Sequence, residues 1–98
     1  MTEIRFLSPA KVELDESYAY YESQQTGLGQ KFLDEVFFTV NRIKDNPTAW
    51  TQISKRSRRC LVNRFPYGLI YQIKNEGILV LAVVHLHRRP KYWKVKRE

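Results

Sequence analysis

Residues 83–93 read VVHLHRRPKYW. They gather most of the side chains in this chain that do chemistry near neutral pH. His85 and His87 stand two apart, so on a strand they share a face at roughly 7 Å. Imidazole titrates near neutrality, which suits it to accept and donate protons in turn. Arg88 and Arg89 follow at once. Guanidinium groups grip phosphate or carboxylate through paired donors but do not release a proton, so they stabilise charge and do not act as bases. Tyr92 and Trp93 carry rings that stack on bases or fold back over the edge of a core. For Trp93, after a proline, the packing role is the plainer of the two. Together these residues fit the grip of an anion, with acid–base work on a phosphodiester as one use of it. The plain alternative is a strand end whose histidines bond to backbone. The histidine pair has no cysteine or carboxylate nearby in sequence to complete a metal shell, and neither a metal nor another cofactor is expected.

A second basic run, Lys55, Arg56, Arg58 and Arg59, is suited to tracking a phosphate backbone or an acidic protein segment. Its alternative is a solvated loop. Lys55, Arg56, Arg59, Arg64, Arg88, Arg89 and Trp93 are the expected contacts for a nucleic acid or an acidic partner. Other chemistry is missing from the pattern. No nucleophile–His–acid triad is visible. Gly27-Leu28-Gly29 does not follow a strand, so it is not a phosphate loop. Cys60 falls on the apolar side of its strand and reads as a small core residue.

These residues sit in a chain whose charge is segregated. The net charge is +7. Residues 1–50 hold five Lys or Arg against eight acids, a balance of −3. Residues 51–98 hold twelve against two, a balance of +10. Solubility alone does not require such a split, which points to a nucleic-acid or acidic-protein partner for the basic half. At 98 residues the chain is expected to form one domain, residues 1–98, with one core. One cysteine excludes an internal disulfide and fits a reducing, cytoplasmic setting. The N-terminus lacks the basic-then-apolar order of a secretion signal. The longest apolar run is too short to span a membrane.

The elements that must position these residues follow from periodicity. Ile4 and Phe6 alternate with Glu3 and Arg5, which predicts a short strand. Ser8-Pro9 reads as a helix cap followed by proline at the first helical position. Ala10, Leu14, Tyr18 and Tyr21 then form one stripe on a helix to about Gln24. A second helix spans about Leu28 to Asp45, with Phe32, Val36, Val40 and Ile43 as its stripe, widened by Leu33 and Phe37. Asn46-Pro47 ends it. After Trp50 the period becomes two. Strands are predicted over 58–64, 67–74 and Ile78 to about His87, with Asn75-Glu76-Gly77 as a hairpin turn. Parity places Cys60, Val62, Tyr67, Leu69, Tyr71, Ile73, Ile78, Val80, Ala82, Val84 and Leu86 against the helices. Arg59, Asn63, Gly68, Gln72, Lys74, His85 and His87 then share the open face, unless a bulge reverses part of the set.

This order, with FPYGLIYQI at 65–73 and ILVLAVVHLHRRPKYW at 78–93, resembles the RelE/ParE superfamily of bacterial toxins. Its members are the toxin halves of type II toxin–antitoxin pairs, often called plasmid stabilisation proteins. The resemblance covers nearly the whole chain. It implies an α+β fold, β-α-α-β-β-β, with a helical hairpin packed on one face of a curved, mostly antiparallel four-stranded sheet. It also implies a cognate antitoxin protein as partner, whose extended or helical segment packs around the hairpin and sheet edge and covers the basic face.

The superfamily divides by target. RelE-like members cleave messenger RNA on the ribosome; ParE-like members poison DNA gyrase and are not nucleases. The basic positions of the nucleases fall near Arg59, Leu61 and Gly68 here, plus the end of the last strand. Of the first three only Arg59 keeps the charge, while His85, His87, Arg88 and Arg89 supply donors at the strand end. Tyr92 matches a C-terminal tyrosine common in those enzymes, and some relatives use a histidine near this end. A nuclease would therefore rest on His85 or His87 as acid and base, Arg59 and Arg88 on phosphate, and Tyr92. The departures at Leu61 and Gly68 tilt the expectation toward a ParE-like gyrase poison. A third possibility is a non-toxic module that only binds its antitoxin.

Overall fold

Residue period sets the architecture: 3.6 in the first half of the chain and two in the second. The structure, a computed structural model, describes residues 3–87 and residue 97. Its elements are β1 (Ile4–Phe6), α1 (Ser8–Gln24), α2 (Leu28–Asp45), β2 (Thr51–Gln52), β3 (Arg58–Leu61), β4 (Tyr67–Lys74) and β5 (Gly77–His85). The strands form one five-stranded sheet in the order β1-β5-β4-β3-β2. β1 runs parallel to β5, and every other pairing is antiparallel. The fold is the expected α+β arrangement with five strands instead of four. The extra strand, β2, is only two residues long, too short for periodicity to reveal.

Several boundaries differ in detail. Ser8 is already helical, and the cap position of α1 is Leu7, which makes no side-chain cap. β3 stops at Leu61, so Asn63 and Arg64 lie in the turn that follows. β5 ends at His85, leaving His87 beyond the strand.

The helical hairpin covers one face of the sheet. Ala10 of α1 and Phe32, Val36, Val40 and Ile43 of α2 are buried against Cys60, Val62, Tyr67, Leu69, Tyr71, Ile78, Val80 and Val83. Rings from several elements meet there: Phe32 lies 5.0 Å from Tyr67 and 5.3 Å from Phe65, edge to face. Phe37 was expected to widen the buried stripe of α2. It is 62% exposed, and Phe38 beside it is 53% exposed, because a single helix face of about 100° is all that the sheet can cover.

A bulge overturns part of the parity argument. Ile70 pairs with Ala82, but Tyr71 pairs with Val80, so Leu81 has no partner across β4. One extra residue sends every later side chain of β5 to the opposite face. Val83 and His85 therefore lie on the helix side. Ala82 and Val84 lie on the other, where with Ile70 and Leu81 they form a second buried apolar cluster flanked by Leu7, Ile53 and Leu79. The face expected to be open and polar is apolar at its centre.

β1 pairs only with Ile78–Val80, so the edge of β5 beyond it must be satisfied otherwise. Glu13 on α1 accepts from the Val83 amide at 2.9 Å and from Arg97 Nη1 at 2.9 Å. Arg97 Nη1 also donates to the Leu81 carbonyl. The hairpin turn ends at Gly77, whose φ is +142° and whose Cα faces the Glu3 carbonyl so closely that a Cβ would stand 2.2 Å from that oxygen. Only glycine fits there.

Candidate functional site

Among the described residues, the predicted basic residues and His85 do not converge on one site. Arg59 sits near the middle of the sheet face away from the helices, opposite Ile70 on β4. Its stem crosses Gly68: a Cβ on that glycine would meet Arg59 Cγ at 3.3 Å and Cδ at 3.4 Å. Gly68 is thus the floor under the Arg59 side chain. Arg59 Nε is buried without a hydrogen-bond partner, and its guanidinium makes no ion pair among the described residues. Leu61, opposite Gly68, is 48% exposed. Ile70, Leu81, Ala82 and Val84 on this face are buried, and the register places Arg5 and Lys74 on the same side as Arg59 toward its far end.

His85 does not join Arg59. The bulge turns it to the helix side, opposite Tyr67, with its ring 5.1 Å from the Tyr67 ring, edge to face. His85 Nδ1 accepts a hydrogen bond from the His87 amide at 3.1 Å, which occupies one of its two ring nitrogens. The two imidazoles do stand together, with centroids 5.6 Å apart, and His87 is exposed. Arg64 adopts φ +71° in the β3–β4 turn and reaches to the helix layer, where Nε lies 3.6 Å from Glu35. Arg88, Arg89, Tyr92 and Trp93 lie outside the described residues.

The basic run at 55–59 splits by parity. Arg58 faces the helix side and is structural: Nη1 donates to the Thr48 carbonyl at 3.1 Å and the Trp50 carbonyl at 2.9 Å. It works with Trp50, whose indole N–H donates to the Arg42 carbonyl at 3.3 Å, and with Tyr71, whose hydroxyl donates to the Pro47 carbonyl. These bonds fix the connection from α2 to β2. Lys55 and Arg56 are exposed at the tip of the β2–β3 hairpin, roughly 10 Å along the strand from Arg59.

Two titrating groups in the core are placed for packing. Cys60 is 1% exposed. Burial pushes its thiol pKa up, against a hydrogen bond and the positive charge of Arg42, which pull it down. A raised pKa favours the protonated thiol, a poor nucleophile, and the burial agrees with the core position read from the strand pattern. Tyr71 is fully buried, and burial pushes its pKa up to about 12, eased by Arg58 and reinforced by Cys60. Sequence reasoning did not single out Glu13 or Glu22. The two glutamates are the polar partners of backbone amides from other elements, a relation that only spatial neighbours reveal. No group of three or more His, Cys, Asp or Glu among the described residues is placed to hold a metal. No helix among them is long and apolar enough to cross a membrane.

Comparison with known proteins adds two findings. The sequence model of the ParE toxin of type II toxin–antitoxin systems, parDE, matches residues 4–90. A solved chain of the chromosomal ParDE toxin–antitoxin system from P. aeruginosa has a similar fold, with a TM-score of 0.74 and 18% identity, over 89% of this chain and 98% of that one. No curated protein matches the sequence.

Proposed function

The chain belongs to the ParE toxin family of type II toxin–antitoxin systems, and from that premise we propose that it arrests growth by binding DNA gyrase in the cytoplasm, restrained by a cognate antitoxin. One observation carries the choice of target. Among the described residues the sheet face that carries Arg59 has no imidazole beside it: Leu61 and Gly68 carry no charge, and His85 lies on the opposite side against Tyr67. RNA cleavage needs a proton acceptor beside the nucleophile and a proton donor at the leaving oxygen. An arginine fills neither role. Binding and poisoning need no catalytic group in this chain. The antitoxin partner fits two surfaces: the basic second half of the sequence, and the exposed pair Phe37 and Phe38 on α2.

The test is controlled expression of the chain alone in bacteria, with protein and DNA synthesis followed separately by pulse labelling. DNA synthesis is expected to fall first while translation continues, and the purified chain is expected to inhibit gyrase supercoiling. The variant His85→Ala is expected to keep this activity. An early collapse of translation with cleaved messenger RNA, abolished by Arg59→Ala, would move the protein to the ribosome. Normal growth with folded chain and no antitoxin present would make it a binding module only.

A further inference from the structure

Beyond the hairpin tip lies a cleft that the target assignment leaves unused. It has a volume of about 340 Å³ and is lined by Lys55, Arg56, Arg58 and Lys74, with Gln52 and Gln72 between them. No carboxylate lines it. Lys55, Arg56 and Lys74 are exposed and make no ion pair among the described residues. The nearest acid in sequence, Glu76, lies 3.9 Å from Arg5 instead. Four cations left together without a counter-charge repel one another, and a bound anion relieves that repulsion.

The cleft is built, not accidental. The hairpin tip closes on itself: Ser54 Oγ accepts from the Arg56 amide at 3.3 Å and the Ser57 amide at 3.1 Å. The Ser57 carbonyl accepts from the Ile53 amide at 2.9 Å. Gln52 Nε2 donates to the Ser54 carbonyl at 3.0 Å and the Lys55 carbonyl at 3.3 Å. Gln72, buried in the floor, donates to Ser57 Oγ at 3.3 Å and ties the tip to β4. Arg58 is held by its two carbonyl partners. The tip is ordered before any ligand arrives, so binding does not bear the cost of ordering it.

We propose that this cleft seats the phosphodiester backbone of a nucleic acid. The lining decides the ligand class. Small-molecule sites of this size are mostly apolar with a few polar groups; this one reverses that ratio. A protein segment anchors on apolar or aromatic residues in a desolvated pocket, and Ile73 is the sole apolar residue of the lining. Separated lysine and arginine charges, with no aromatic platform and no groove for base edges, suit sequence-independent contact with successive phosphates. Arg59 is not among the lining residues, and the site does not depend on which target the toxin attacks.

The experiment measures anisotropy of a labelled 16-base-pair DNA duplex, and of a single-stranded RNA of equal length, titrated with the full chain over a range of salt concentration. Three solvent-facing cations predict a slope of log K against log salt of about −2 to −3 for the duplex. The double variant Lys55→Gln/Lys74→Gln is expected to flatten that slope by about 1.8 with the fold intact by circular dichroism. Both probes binding with this dependence supports a site for phosphodiester in general, and duplex alone narrows it to DNA. Polyglutamate displacing the probes at equal charge concentration overturns the proposal in favour of an acidic peptide. A slope untouched by the double variant, or one that responds to Arg59→Gln alone, overturns it as well. Gyrase is absent from the assay, so the outcome is separate from that of the growth experiment.

Discussion

Tyr71 shows how one residue serves both the core and a loop. Its ring is fully buried under the helices, and its hydroxyl donates to the Pro47 carbonyl just past α2. Burial holds its pKa at about 12, above the ordinary value of 10.0. The native state therefore binds this proton more tightly than the unfolded state does. The stability it contributes is complete below about pH 10 and is lost as pH rises from about 10 toward about 12, a total on the order of 2–3 kcal/mol. Absorbance titration should find a tyrosine component that ionises near pH 12 or with unfolding. In Tyr71→Phe that late component should vanish, and stability at neutral pH should fall by about 1 kcal/mol as the Pro47 carbonyl loses its donor. A titration curve of the folded protein that is unchanged above about pH 11 by Tyr71→Phe would refute this. Arg59 is the converse case. Its position on the open face follows from strand parity, but the glycine floor beneath its stem belongs to the neighbouring strand.

Helix–helix joining shows the element scale. The link between α1 and α2 is short, and the cap residue of α2 is Gly27, which has no side chain to satisfy the first amides. Glu22, near the end of α1, does this from outside: Oε2 accepts from the Gly27 amide at 2.9 Å and Oε1 from the Gly29 amide at 3.0 Å. A carboxylate at a helix N-terminus is also favoured by the helix dipole. Glu22→Ala is expected to cost about 2 kcal/mol, and Glu22→Gln about half of that because the amide offers one acceptor oxygen. Urea unfolding should show this as a lower midpoint with an unchanged slope. An unshifted midpoint for Glu22→Ala would remove the capping role. The bulge at Leu81 acts at the same scale. It moves Ala82 and Val84 beside Ile70, turns His85 toward Tyr67, and leaves the Val83 amide to Glu13.

Charge is the property of the whole molecule. The second half of the sequence carries a balance of +10 and the first half −3. Long-range attraction between segregated charges raises association rates more than it slows dissociation, and salt screens it. Association with the cognate antitoxin should therefore slow at least tenfold between about 50 and 500 mM salt, with the dissociation rate nearly constant, in stopped-flow or surface-binding measurements. An association rate indifferent to salt would place the contact on the exposed Phe37–Phe38 surface of α2.

The order of elements was legible from the sequence because each depends on local periodicity. The stripe Phe32, Val36, Val40 and Ile43 is buried as its spacing implied, and β4 begins and ends where alternation does. Family membership was legible for a related reason: FPYGLIYQI and the β5 run are contiguous. Parity failed past Leu81, since a bulge is a mismatch between two strands and neither strand encodes it alone. The same limit explains the site. Lys55 and Arg56 stood out as a run, but Lys74 is nearly twenty residues away and became their neighbour only through the pairing of β3 with β4. The sequence by itself determined the elements, the charge split and the family, all of which are local or additive. Tertiary structure alone decided which cations share a cleft and which histidine leaves the open face, because those depend on register between strands.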